Sequence, residues 1–236
     1  MKKNTALLFF ALTALIISSF ITSDTCVFYY PAKKGTVTET TYYDAKGKPT
    51  GSKLYIEVAD ITDSSGYRVE KIHSWTTTKD ADTAVSDVNY KVMCKGDKFL
   101  IDMSGFIDRQ KLEAYRGMDI SIDADNIAIP ANPVAGQTLN DGQVKVTISN
   151  QGMKMMSFTT KLLNRKVEGT ESITTPAGTF EAVKISYDTE IHMGLTFKTK
   201  GIQWFVKNVG IVRAETYNKK GKKLQSYREM TKITER

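Results

Sequence analysis

Short runs in which apolar and polar residues alternate, punctuated by Gly, Asn and Pro, recur from residue 36 almost to the end of this 236-residue chain. A period of two sends successive side chains to opposite faces of an extended backbone, so each run buries one face by pairing with others in a sheet. Residues 36–43 are dense in Thr and Tyr, residues 44–51 (DAKGKPTG) are a turn cluster, and residues 53–61 alternate with Leu54, Ile56 and Val58 on one face. Turn chemistry between two such runs is the signature of a β-hairpin. Residues 67–77 continue the pattern with mixed faces, residues 79–87 read as a polar loop or hairpin tip, and residues 88–101 give two short strands around Lys95-Gly96-Asp97.

Further strands are expected at residues 144–149, 154–163, 167–175, 180–193, 196–206 and 211–217, with a last hairpin turning at residues 218–222. Residues 119–130 and 134–142 read as turn-rich. One stretch departs from the pattern: residues 104–118 (SGFIDRQKLEAYRGM) hold helix formers, with Phe106, Ile107, Leu112 and Tyr115 spaced for a short amphipathic helix that Ser104 would cap. The expected architecture is mainly β, a single antiparallel sheet curved into a barrel or half-barrel, with one short helix near residues 104–117. Residues 41–48 (TYYDAKGK) and 215–222 (ETYNKKGK) echo each other. The few solutions open to tight turns account for the likeness.

The N-terminus sets the compartment. Lys2 and Lys3 precede a 16-residue apolar run, residues 6–21, which ends in Thr22-Ser23. A charged n-region, a short h-region and a small residue at the cut read as a signal peptide over residues 1–23. The run falls short of the roughly 20 residues that span a bilayer, and Thr13, Ser18 and Ser19 interrupt it. Ile21 is larger than a cleavage site prefers, which keeps an uncleaved anchor as the alternative. Cleavage leaves residues 24–236, enough for one sizeable β-rich domain without a transmembrane span. Losing Lys2 and Lys3 lowers the formal charge from +7 to +5. The remaining Lys and Arg are interleaved with Asp and Glu, which argues against a nucleic-acid partner.

In an exported chain the two cysteines, Cys26 and Cys94, read as one disulfide. It would close a loop of roughly 70 residues, worth on the order of 4 kcal/mol in the chain-entropy model. A lipidation signal would need a small residue just before Cys26 and a Leu-like residue three before it. Thr25 and Ser23 depart from both, so lipidation ranks below cleavage after Ser23.

Several motifs occur in order: Tyr29-Tyr30-Pro31, Lys34-Gly35-Thr36, Cys94-Lys95-Gly96-Asp97, Asn164-Arg165-Lys166-Val167, residues 174–185 (TTPAGTFEAVKI), and Trp204-Phe205 ahead of Val209-Gly210-Ile211-Val212. This series resembles the DUF3108-like (TapB-family) exported proteins common in Bacteroidetes-type envelopes. The resemblance spans nearly all of the chain after the signal segment. It implies an exported β-rich domain and supplies no catalytic residues. Physically the motifs look structural: Pro176 and Gly178 suit a tight turn, and Trp204 is a large apolar anchor.

Candidate chemistry is sparse. His73 and His192, the only histidines, lie far apart and lack ligand spacing to any Cys, Asp or Glu, so neither a metal nor a cofactor is expected. Asp119, Asp123, Asp125 and Asn126 are the best oxygen-ligand cluster but lack the glycine and terminal Glu of an EF-hand loop. No nucleophile elbow and no phosphate-binding glycine loop is present. Glu168 and Glu171, three apart on a strand, point to opposite faces. The most suggestive group is Met153, Met155 and Phe158, with Met193, Phe197 and Trp204, as the lining of an internal ligand cavity. Ordinary core filling is the more economical role for these side chains. The leading expectation is a non-enzymatic protein of the periplasm or cell surface whose barrel encloses an apolar or lipid-like ligand. The alternative is an assembly component that binds another envelope protein through an edge strand or an aromatic patch such as Tyr29-Tyr30 and Tyr42-Tyr43. A hydrolase with an unrecognised site ranks last.

Overall fold

The computed structural model describes residues 27–64, 67–79 and 84–235, and among them thirteen strands form one antiparallel sheet. An irregular segment, residues 27–36, leads into a first meander: β1 (Val37–Asp44), β2 (Pro49–Ser64), β3 (Tyr67–Thr77), β4 (Ser86–Lys95) and β5 (Lys98–Asp102). Two 3-10 turns, Met103–Phe106 and Arg109–Tyr115, then lead to β6 (Asp119–Ala124) and β7 (Asn126–Pro130). The second meander is β8 (Gly142–Asn150), β9 (Met153–Thr175), β10 (Gly178–Met193), β11 (Leu195–Val206), β12 (Gly210–Asn218) and β13 (Leu224–Thr234), and β13 pairs with β1 to join the two halves.

One extended segment nearly closes the sheet into a barrel. β6 pairs with β8 and β7 pairs with β5, while only Asp125 separates β6 from β7. The chain therefore changes partner at Asp125 without changing direction. The Asp125 N–H donates to the Gln143 carbonyl, its carboxylate accepts the Gln143 N–H, and its own carbonyl accepts the Met103 N–H, at 2.9, 2.9 and 3.1 Å. Beside β7 the ladder is replaced by side chains. Asn140 accepts from the Ala128 N–H (2.9 Å) and donates to the Asn126 carbonyl (3.0 Å). Buried Arg165 donates to the carbonyls of Ala128 (3.2 Å) and Asn140 (2.8 Å). Backbone groups at the seam thus find partners that an open edge would leave to solvent. A Cβ at Gly142 would lie 2.5 Å from Ile127 and 2.6 Å from Met103, so only glycine fits where the partners change.

Residues 119–130, expected to be turn-rich, are therefore the closing strands. The two strands expected at residues 154–163 and 167–175 are one strand, β9, bent where the register slips near Asn164, whose φ is +53°. The slip is a β-bulge, which re-aims side chains, here in the Asn164-Arg165 pair. The helix expected near residues 104–117 does not form. Asp102, not Ser104, caps the first 3-10 turn, and Ile107 is already extended. A stretch this short gains little from helix propensity alone. Its tertiary contacts decide instead: Met103, Ile107 and Leu112 are buried in the core, and Gly105 presses so close that a Cβ would meet the Tyr90 ring at 2.6 Å.

The end of the barrel opposite the β10–β11 turn is plugged by residues 27–32. Tyr29 is fully buried, edge-on to Phe99 (5.8 Å) and Phe205 (6.0 Å). The Asn208 N–H donates to the Phe28 carbonyl (2.7 Å), and Arg68 donates to that of Ala32 (2.8 Å). A smaller second core lies on the outer face of the sheet, where Ala182, Trp204, Val206, Val212 and Met230 pack with Ile173 and Phe180. The β9–β10 turn folds onto it, with the Ala177 N–H donating to the Met230 carbonyl (3.2 Å). The two echoed turns are neighbours in the sheet and share one device. Asp44 accepts the N–H groups of Lys46 and Lys48, and Asn218 accepts those of Lys222 and Lys223.

Cys94 is buried on β4. Cys26, the expected signal segment and the expected disulfide lie outside the described residues. Among the described residues no helix is long and apolar enough to cross a membrane.

Candidate functional site

Above the plug the barrel is hollow. A cavity of about 460 Å³ is lined by inward side chains from both meanders. Its character follows from the alternation of the strands. On β10, Ile185, Tyr187 and Thr189 face inward, and on β11 Gln203 and Phe205 do so, with Ile211 and Thr216 from β12 and Ser226 and Arg228 from β13. Toward the plug the lining is apolar, with Ile101, Ile127, Leu162, Ile185 and Phe205 belonging to the main core or packed on it. Toward β13 and β1 it is polar. Phe106, 52 % exposed, also lines the cavity and marks an opening to solvent at the first 3-10 turn.

Tyrosines gather around one arginine. Arg228 donates from Nη1 to the Tyr42 hydroxyl (3.1 Å), its strand neighbour across the β1–β13 ladder, with the guanidinium 5.8 Å from the centre of that ring. The Tyr30 and Tyr90 hydroxyls share a hydrogen bond at 2.8 Å. Tyr187 lies over Gly201, where any Cβ would run into its ring. Burial pushes the Tyr30, Tyr90 and Tyr187 hydroxyls above the ordinary phenol range, so all three are neutral at physiological pH. Arg165 also lines the cavity; burial lowers it to about 10, which still leaves it charged. Among the described residues no carboxylate lies within ion-pairing distance of Arg228 or Arg165. The two acids on the lining are engaged at the 3-10 turns: Asp102 accepts the Ser104 N–H (2.8 Å), and Asp108 lies 3.6 Å from Lys111.

The side chains expected to line a cavity sit elsewhere. Met153, Met155, Met193 and Phe197 are 58–67 % exposed on the β8–β9 and β10–β11 hairpin ends. Phe158 is half-buried against the main core, and Trp204 belongs to the second core, donating to Glu171 (2.7 Å). None of the six lines the hollow. The pairs named as an aromatic patch are also divided: Tyr29 and Tyr30 are buried, Tyr42 faces the cavity, and Tyr43 stacks on Tyr227 at 4.9 Å. His73 is held between Asp87 (3.0 Å) and Glu57 (3.7 Å) over Trp75, and His192 lies on the β10 end beside Glu190 and Thr196. Neither histidine reaches the cavity. Tyr90, Tyr187 and Arg228 were missed from sequence, and Tyr30 and Tyr42 were assigned to a docking patch instead of the cavity. Their only signal was polar and aromatic residues recurring at inward positions of strands read chiefly for their aliphatic faces.

The fold recurs in solved structures. An exported protein of Bacteroides fragilis, described as having a YmcC-like fold, is 25 % identical, with a TM-score of 0.72 over 89 % of this chain and 100 % of its own. A protein of Parabacteroides distasonis described as a lipoprotein is 26 % identical, with a TM-score of 0.70 over 89 % of this chain and 99 % of its own. No curated protein matches the chain in sequence. The model of the DUF3108-like family matches residues 33–230, from just after the plug into the strand that carries Arg228, and the chain belongs to that family.

Proposed function

We propose that the protein is an exported, non-enzymatic binding module that encloses an apolar or lipid-like ligand inside its barrel. The observation that carries this reading is the hollow of about 460 Å³, within the roughly 300–1,000 Å³ usual for small-molecule sites, in a fold whose lower end is packed solid. Export is supported by the N-terminal charged and apolar segment and by the descriptions of the two similar structures as an exported protein and a lipoprotein. The non-enzymatic reading is supported by the placement of both histidines outside the cavity. Native mass spectrometry of the purified protein after incubation with a lipid extract tests the proposal. Retained adducts of one ligand per chain are the expected result, and a spectrum of bare protein alone counts against it.

A second reading has its own observation. Met153, Met155, Met193, Leu195 and Phe197 form an exposed apolar group on two neighbouring hairpin ends, larger than scattered surface residues require. This reading is assembly, with another envelope protein docking on the hairpin ends. Its test is co-purification of a stable stoichiometric partner from envelope fractions, lost when these five side chains are made polar.

A further inference from the structure

Resting on the ligand-carrier reading, we propose that the cavity selects a single-chain amphiphile with an anionic carboxylate or phosphate head, which Arg228 holds while the chain lies against Ile185, Phe205, Ile101 and Ile127. Arg228 is half-buried and lines the cavity. Taking a guanidinium out of water is costly unless a counter-charge and hydrogen-bond acceptors replace the lost hydration. Among the described residues Arg228 has one hydrogen-bond acceptor, the Tyr42 hydroxyl, and no carboxylate partner. Arg213, one strand away on the opposite face, shows the ordinary solution. It pairs with both Glu215 and Glu229. The chain thus supplies acids to the outward arginine and withholds them from the inward one.

The guanidinium has five N–H donors in a planar fork suited to a carboxylate or phosphate. With Tyr42 taking one of them, others remain for a head group. The neutral hydroxyls of Tyr30, Tyr90 and Tyr187 add no competing charge, and Gln203, Thr216 and Ser226 line the same part of the hollow. Polar lining on one side and core aliphatics on the other match a molecule with one charged end. A volume in the lower half of the usual range favours one chain over several.

The test compares palmitate, hexadecyl phosphate and cetyl alcohol, which share a chain and differ in the head, by calorimetric titration of the signal-free protein. Palmitate or hexadecyl phosphate should bind at least about 10-fold more tightly than the alcohol, the scale of one charge-assisted hydrogen-bonded contact. The tighter of the two anions identifies the head. Arg228→Met should remove that preference and leave alcohol binding unchanged, and Arg228→Lys should retain part of it. The comparison of head groups on the unaltered protein needs no variant and stands even if a substitution harms folding. Equal affinities for all three overturn the anionic head and leave the carrier reading intact. No binding of any of them, with lipid-extract adducts also absent, overturns both.

Discussion

The inside of the barrel and the hairpin ends that project beyond it have exchanged their expected polarities. The upper interior carries two arginines with no carboxylate in ion-pairing distance among the described residues, a group of tyrosines, and Ser, Thr and Gln. The β8–β9 and β10–β11 ends, in contact with solvent, carry Met153, Met155, Met193, Leu195 and Phe197. A protein selected only for a stable solid core would do the reverse, because apolar burial is the main favourable term in folding and buried charge is costly. The inversion shows two different kinds of inward position. Some polar groups, such as Arg165, hold the wall together, whereas others, such as Arg228, face a hollow.

The largest effect that would sharpen this distinction is expected at the seam. Arg165→Met removes a buried donor from the carbonyls of half-buried Ala128 and exposed Asn140, on opposite sides of the closure. Hydrogen bonds to a charged group contribute roughly 1.5–3 kcal/mol each, and with solvent reaching both acceptors the loss of two in denaturant unfolding should come to about 2–4 kcal/mol. Arg228→Met, by contrast, breaks only one hydrogen bond to a neighbouring tyrosine and should cost less than half as much. Equal losses at the two sites would mean that Arg228, like Arg165, is a structural residue of the wall.

The next effect concerns Glu70, a carboxylate with no exposed surface on the inward face of β3. Its nearest cation, Arg68, stands 3.7 Å away, and neither carboxylate oxygen has a hydrogen bond. Burial raises it to about 7, with Arg68 opposing the shift. Because the folded value lies above the ordinary one of 4.5, the folded state keeps a proton that the unfolded chain gives up between these pH values. Glu70 therefore weakens the fold progressively as pH rises from about 4.5 to about 7, with the full penalty present above that. The difference is on the order of 3 kcal/mol. Glu70→Gln should be more stable than the parent at pH 8 and should lose this slope while other pH dependences persist. A parallel pair of stability–pH curves would show that Glu70 is hydrated or paired in solution.

The architecture was legible where local chemistry decides it. Period-two runs and the Gly, Asn and Pro turns located most strands, because side-chain alternation and turn geometry are properties of a few adjacent residues. The closure was not legible, because Asp119 to Pro130 look like a turn-rich stretch until β8 and β5 take its two halves as partners. The 3-10 turns were missed for the same reason: Gly105 packs against Tyr90 of β4, a tertiary contact that the local sequence does not display. The site was inverted because methionine and phenylalanine were assigned to the interior by hydrophobicity, while strand ends that outrun their neighbours carry them into solvent. The inward tyrosines were legible only as alternation, and nothing local separates a tyrosine that packs from one that lines a hollow.

The smallest expected effect tests the other half of the comparison. Met153, Met155 and Met193 belong to exposed strand ends, and none is counted in either core. Replacing all three by Gln should change unfolding free energy by only about 0.5 kcal/mol or less, as for surface sites away from packing features. Affinity for palmitate or hexadecyl phosphate should also stay unchanged, because these side chains do not line the cavity. What should change is association. If the hairpin ends dock on an envelope partner, the triple variant should lose that partner while keeping its ligand, whereas Arg228→Met should keep the partner and lose only the preference for an anionic head. A core-sized loss of stability in the triple variant would place the methionines in a packed environment. The interior and the hairpin ends would then be parts of one apolar structure, not two surfaces with separate tasks.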